Sequence, residues 1–122
     1  MSLPTAGAGL VRLFAYGTLQ QREVQLATYG RLLDGLPDVL AGYRLDPLTI
    51  SDPEVVRLSG KAVHWIARAS GDPADRIPGI VFRLTGEELE ATDRYEVDAY
   101  QRVDVVLESG TSAIAYAGPA CA

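Results

Sequence analysis

One cysteine, one histidine and one lysine stand among the 122 residues of this chain, and each scarcity removes a class of chemistry. Cys121 has no partner for an internal disulfide. As a free thiol it fits a reducing compartment, so a cytoplasmic location is expected. His64 and Cys121 together supply too few ligands for a zinc site within one chain. A Ser-His or Cys-His mechanism would rest on His64 alone, and Cys121 lies in a tail expected to fray. No Asp-x-Asp-x-Asp-Gly loop suggests calcium. A carboxylate-only magnesium or calcium site stays open, with no feature of the chain that calls for one. No apolar run approaches the ~20 residues of a membrane-spanning helix. Met1 to Leu10 shows neither the basic nor the apolar region of a signal peptide. Basic clusters are missing too: Lys61 is the only lysine, the arginines are scattered singly from Arg12 to Arg102, and the net charge is −5. That balance argues against a nucleic-acid or anionic-membrane partner. The preference for Arg over Lys, with abundant Ala and Gly, points by association to a GC-rich bacterial source.

What remains is the composition of one ordinary globular domain over residues 1–122, with its core between about 11 and 117. Val11 to Ala15 reads as a short apolar strand. Thr18 and Gln21 have capping-box spacing, which predicts a helix over about Leu19–Tyr29, stopped by Gly30. Val39 to Leu45 reads as a strand, and Pro47 to Gly60 as a long irregular connection. Ala62 to Ala69 alternates, with Val63, Trp65 and Ala67 on one side and His64 on the other, solvent-facing or hydrogen-bonded. After a polar loop from Ser70 to Pro78, Gly79 to Leu84 reads as a buried strand. Thr85 and Glu88 then form a capping box, with Leu84 and Leu89 spaced as a hydrophobic staple, and the helix runs to about Tyr95. Tyr100–Leu107 and Thr111–Ala117 pair as a hairpin across Ser109-Gly110. The expected fold is α+β: five or six strands and two helices, the sheet closing into a small barrel that removes its edges.

Two segments carry chemistry. On the helix after Thr85, the residues Leu89, Thr92, Asp93 and Glu96 share one face. With Leu89 inward, Glu96 and Asp93 face the core or a cavity. There desolvation, and a charged Asp93, would raise the pKa of Glu96 toward the range of a general base. The alternative is that the helix ends at Arg94 and leaves Glu96 in solvent. At Tyr16-Gly17-Thr18-Leu19, a strand ends in a Gly turn that opens a helix. Such a turn presents free N–H groups to a carboxylate or an oxyanion, or is simply a junction. Tyr100 and Tyr116 could each place a hydroxyl in a pocket, or be ordinary core aromatics.

In order, these segments form apolar-Tyr-Gly-Thr-Leu, Gly-Ile-Val-Phe-Arg-Leu, Asp-Arg-Tyr-Glu, Tyr-Gln-Arg-Val and a late Ala-Tyr. The pattern resembles the gamma-glutamylcyclotransferase-like (AIG2-like) family from Val11 to Tyr116. The resemblance implies a small mixed, mostly antiparallel β-barrel flanked by short helices. It implies an enzyme that cyclises a gamma-glutamyl group to 5-oxoproline and releases the attached amine or amino acid, without a cofactor. Glu96 matches the catalytic acid/base, Tyr16, Gly17, Thr18 and Leu19 the substrate-binding turn, and Tyr100 and Tyr116 the pocket wall. Thr92 departs from the family, which usually has Leu there. The expected partner is a small gamma-glutamyl substrate, bound by a monomer or homodimer. A non-catalytic binding domain keeping the same pocket, or another carboxylate-dependent enzyme on the same scaffold, are the competing readings.

Overall fold

The computed structural model describes residues 10–121. Apart from Leu10, the segment expected to lack a secretory leader lies outside this range. In chain order the elements are β1 (Val11–Ala15), a 3-10 turn (Thr18–Gln20), α1 (Arg22–Tyr29), β2 (Gly35–Ala41), β3 (Tyr43–Thr49), α2 (Pro53–Ser59), β4 (Val63–Ala69), β5 (Arg76–Leu84), α3 (Gly86–Tyr95), β6 (Gln101–Val106) and β7 (Ser112–Ala117). The strands form one seven-stranded mixed sheet in the order β2-β5-β1-β7-β4-β3, with β6 added on β7.

The sheet curls into a half-barrel because its two ends are consecutive in the chain. β2 passes to β3 through Gly42 alone, at φ +82°, a conformation that favours glycine. The Gly42 N–H donates to the Asp75 carbonyl at 2.8 Å, and its carbonyl accepts the Ser70 N–H at 2.8 Å. This corner ties the entry of β5 to the exit of β4. The expected α+β barrel-like sheet is therefore present, built from more strands than the sequence suggested. Val39–Leu45 proves to be parts of two strands broken at Gly42.

β1 runs through the middle and is buried on both faces, in keeping with its apolar sequence. Leu13 and Ala15 pack with Val24, Leu84, Leu89 and Tyr116 beneath the helices. Phe14 packs on the opposite face with Leu40, Ile77, Ala113, Ala115 and Ala117, inside the curl. Gly79 sits where a Cβ would lie 2.5 Å from the Ala15 carbonyl oxygen and 2.6 Å from Phe14 Cζ. A side chain there would push β5 off β1.

α3 follows its expected signals. Thr85 Oγ1 accepts the Glu88 N–H at 3.1 Å, and Glu88 Oε1 accepts the Thr85 N–H at 3.0 Å. Arg31 Nε also donates to Glu88 Oε2 at 2.8 Å, so the start of α3 is tied to the segment after α1.

The segment Pro47–Gly60, expected to be irregular, instead completes β3 and forms α2. Asp52 caps this helix by accepting the Glu54 N–H at 3.0 Å, and Pro53 occupies its first position. Gly60, at φ +74°, ends it with an N–H to the Val56 carbonyl at 2.8 Å. Proline at the first helical position is favourable because its missing N–H would have no partner anyway. The capping box expected at Thr18 and Gln21 does not form. The chain makes one 3-10 turn first, and α1 begins at Arg22 without a side-chain cap. Near the C-terminus, the Cys121 N–H donates to the Ala69 carbonyl at 2.9 Å, so this part of the expected frayed tail is tied to the end of β4.

Candidate functional site

A cavity of about 380 Å³ opens where β1 and β4 part. β7 pairs along its whole length with β6, which occupies one edge. Its other edge is shared: Ile114 and Ala115 pair with β1, then Ala117 pairs with Ala67 of β4. Tyr16 leaves β1 at this handover. Its hydroxyl donates to the Tyr116 carbonyl at 2.6 Å and accepts the Ala67 N–H at 2.9 Å. The phenol thus bridges β7 and β4 where the strand ladder is interrupted. Burial pushes the Tyr16 pKa well up, so the hydroxyl stays neutral.

The turn Tyr16–Leu19, Glu96, Tyr100 and Tyr116 all line this one cavity. Among the described residues, the N–H groups of Gly17, Thr18 and Leu19 have no backbone acceptor, whereas Gln20 and Gln21 donate to the Gly17 and Thr18 carbonyls at 3.1 and 2.9 Å. Unpaired N–H donors of this kind are available to an anionic group that enters the cavity. A Cβ added to Gly17 would meet no atom within 4 Å, so glycine there leaves open space in front of the turn. The turn is held from behind. Gln25, buried in α1, donates from Nε2 to the Leu19 carbonyl at 2.9 Å and accepts the Leu33 N–H at 2.9 Å. Thr18 Oγ1 lies 2.7 Å from the Tyr95 hydroxyl.

Glu96 sits at the C-cap of α3 with extended backbone, φ −71° and ψ 135°, one residue past the last helical position. The helix therefore outlasts Arg94 by one residue, and Glu96, just past its end, is half-buried against the cavity. Burial alone pushes its pKa up to about 8. Among the described residues, its carboxylate has no hydrogen-bond or ion-pair partner. Burial also raises the hydroxyl pKa of Tyr16, Tyr95 and Tyr100, and a charged Glu96 raises each further, which marks these rings as its neighbours.

Asp93, expected beside Glu96, turns away. Its Oδ1 accepts Arg102 Nε at 2.9 Å and the Tyr116 hydroxyl at 2.5 Å. The hydrogen bond from Arg102 and, less strongly, that from Tyr116 hold its pKa down. It therefore has no part in raising Glu96. The tyrosine hydroxyls are likewise committed: Tyr116 to Asp93, and Tyr100 to the Trp65 carbonyl at 2.8 Å. These residues shape the wall with their rings. Thr92 is fully buried, donating to the Glu88 carbonyl at 2.8 Å and lying 2.7 Å from the Tyr29 hydroxyl. The polar residue that departs from the family pattern is thus satisfied within the helix packing.

β4 resolves an open alternative, placing His64 opposite Val63 and Trp65 as a hydrogen-bonded rather than a solvent-facing residue. His64 is buried, its Nε2 lying 3.0 Å from Ser59 Oγ, while Val63 and Trp65 are about half exposed at 49% and 51%. Alternation separates the two faces of a strand without telling which one meets the core. Burial holds the His64 pKa down, so the ring is neutral. Ser59 Oγ donates to the Val55 carbonyl at 2.8 Å and does not line the cavity, whereas His64 does, held by its contact with Ser59. Lys61, Val63 and Trp65 line the cavity without having been singled out. Among the described residues, no group of three or more His, Cys, Asp or Glu gathers as a metal site, and no helix is long and apolar enough to cross a membrane.

A family model described as gamma-glutamyl cyclotransferase, AIG2-like, matches residues 13–120. No curated protein matches the sequence significantly. Solved structures share the fold. An Arabidopsis thaliana protein determined in solution aligns over 97% of this chain at 22% identity and TM-score 0.67, and this chain spans 65% of its length. A structure named gamma-glutamyl cyclotransferase aligns over 91% at 15% identity and TM-score 0.63, with 68% of its own length covered. A Kluyveromyces lactis allophanate hydrolase aligns over 88% at 13% identity and TM-score 0.65, through only 17% of its length.

Proposed function

The chain belongs to the gamma-glutamyl cyclotransferase, AIG2-like family, and from that membership we propose that it cyclises the glutamyl group of a small gamma-glutamyl amine or amino acid to 5-oxoproline, with Glu96 as general acid/base. The observation that carries this reading is the half-buried carboxyl of Glu96, lining the same cavity as the Tyr16–Leu19 turn. It has no partner among the described residues, and its pKa is pushed up to about 8 by burial. A carboxyl poised near working pH serves as both proton acceptor and proton donor.

In the proposed reaction the substrate's α-ammonium gives one proton to the Glu96 carboxylate. The freed nitrogen attacks the γ-carbonyl carbon of the same molecule and forms the five-membered ring. Glu96 returns that proton to the leaving nitrogen as its bond to carbon breaks, and the second proton of the ring nitrogen then follows through the same carboxyl, so the ring closes as a neutral lactam and the amine departs as an ammonium. The products are 5-oxoproline and the free amine or amino acid. Acid/base catalysis of this kind contributes roughly 10²–10⁴-fold. Nucleophile and electrophile belong to one chain, so holding the glutamyl group folded supplies much of the rest. The N–H groups of Gly17, Thr18 and Leu19 are the donors for the substrate's α-carboxylate or the oxyanion. Tyr16, Tyr100 and Tyr116 form the wall that excludes water.

The test is mass-spectrometric detection of 5-oxoproline after incubation with gamma-glutamyl amino acids, gamma-glutamyl amines and glutathione. Product from one or more of them supports the reaction class. Ligand-dependent thermal stabilisation without product would replace the enzyme with a binding domain.

A further inference from the structure

The rim of the cavity has a chemistry of its own. Trp65 and Val63 of β4 stand about half exposed at 51% and 49%. Lys61, two residues before the strand, is exposed and lines the same cavity. It is the only lysine in the chain, and its ammonium has no carboxylate partner among the described residues. Among the described residues, Arg31, Arg44, Arg57, Arg68, Arg76 and Arg102 are paired with Asp or Glu, whereas Arg12, Arg22, Arg83 and Arg94, none of which lines the cavity, share with Lys61 the lack of such a partner. The rim therefore pairs an apolar wall with an unspent cation, while the same cavity holds the half-buried Glu96.

Resting on the cyclotransferase reading, we propose that Lys61, Val63 and Trp65 form the leaving-group subsite, selecting gamma-glutamyl amino acids that carry an apolar side chain and a free carboxylate. The reacting γ-carbonyl must lie by Glu96 and the free N–H groups of the turn, so the part of the substrate that projects outward is the leaving group. An apolar side chain covers the exposed indole and Val63, removing apolar surface from water. The carboxylate of the departing amino acid meets the Lys61 ammonium in a charge-assisted hydrogen bond. A gamma-glutamyl polyamine would bring a second cation to Lys61 and be disfavoured.

The experiment compares kcat/KM for gamma-glutamyl-leucine and gamma-glutamyl-3-methylbutylamine, which differ only in the leaving-group carboxylate. Wild type, Lys61→Ala and Trp65→Ala are measured, with melting curves as a folding control. Lys61→Ala is expected to lose about threefold to tenfold on the leucine substrate and less than about twofold on the amine, as befits one partly solvated ion pair. Trp65→Ala is expected to lose roughly fivefold to tenfold on both, through the shared apolar stem. An equal loss on both substrates in Lys61→Ala would assign the lysine to the glutamyl head and overturn the subsite, as would no loss on either. Calorimetric binding of the same two compounds in a Glu96→Gln background separates this idea from the reaction itself. Carboxylate-selective binding that depends on Lys61, without any turnover in the otherwise wild-type protein, would keep the subsite and refute the cyclotransferase reading. Turnover without carboxylate selectivity would do the reverse, and neither turnover nor binding would overturn both.

Discussion

The Tyr16 hydroxyl accepts the Ala67 N–H at 2.9 Å, across a gap that the strand ladder leaves open between β1 and β4. The same oxygen donates to the Tyr116 carbonyl at 2.6 Å, so one phenol satisfies two backbone groups on two strands. Tyr16→Phe keeps the ring and removes both bonds. Stranding buried backbone groups costs about 1–3 kcal/mol each, and local relaxation recovers part of it. The urea midpoint is expected to fall with the slope unchanged. A midpoint equal to wild type would show that the phenol is not the bridge.

The pH dependence follows from Glu96. Its folded pKa lies at about 8, above the ordinary carboxyl value. The base form required for attack accumulates as pH rises through that value. The kcat/KM of the free enzyme is therefore expected to climb with a limb near pH 8. In the complex, the substrate's α-ammonium favours the carboxylate, which moves the limb of kcat to lower pH. A kcat/KM limb near 4.5, or none between pH 5 and 9, would contradict a half-buried carboxyl with a raised pKa.

The same burial has a cost in stability. Glu96 binds its proton more tightly folded than unfolded, so its contribution is most favourable below the unfolded pKa. That contribution is lost as pH rises toward about 8. Glu96→Gln removes the charge, so it is expected to raise the melting temperature relative to wild type at pH 8.5 and to change it little at pH 4.5. Equal effects at both pH values would place the carboxylate in contact with solvent.

Asp93 gives a sharper check on cause. Its carboxylate is held by Arg102 and the Tyr116 hydroxyl, and it makes no contribution to the raised pKa of Glu96. Asp93→Asn should leave the limb of the pH–rate profile within about 0.3 of its position, since no Coulomb coupling to Glu96 is removed. A drop of one unit would restore the coupling read from helix spacing.

What could be read in the chain was local. Thr85 and Glu88 announce α3 because both bonds of the capping box lie within three residues. The turn at Tyr16–Leu19 and the carboxyl of Glu96 were recognisable as residue types in order. α2 was equally local, with Asp52 and Pro53 at its start and Gly60 at its end, but Pro47 and Pro53 together read as breakers rather than as a strand end and a helix start. Other features depend on distant partners. Nothing near Tyr16 points to Tyr116, 100 positions away. Nothing near Gln25 says that its amide will hold the Leu19 carbonyl rather than face solvent. For β4 the period of two was visible, but which side met the core depended on α2, which supplies Ser59 to His64. The half-exposed indole of Trp65 emerged only with that choice.

The most direct measurement is the rate of 5-oxoproline formation by Glu96→Gln against wild type, on whichever gamma-glutamyl compound the wild type turns over, with melting curves at the assay pH. A loss of at least about 10²-fold in a protein that melts no lower than wild type is the predicted result. Turnover equal to wild type would contradict the placement of the reaction's proton on Glu96.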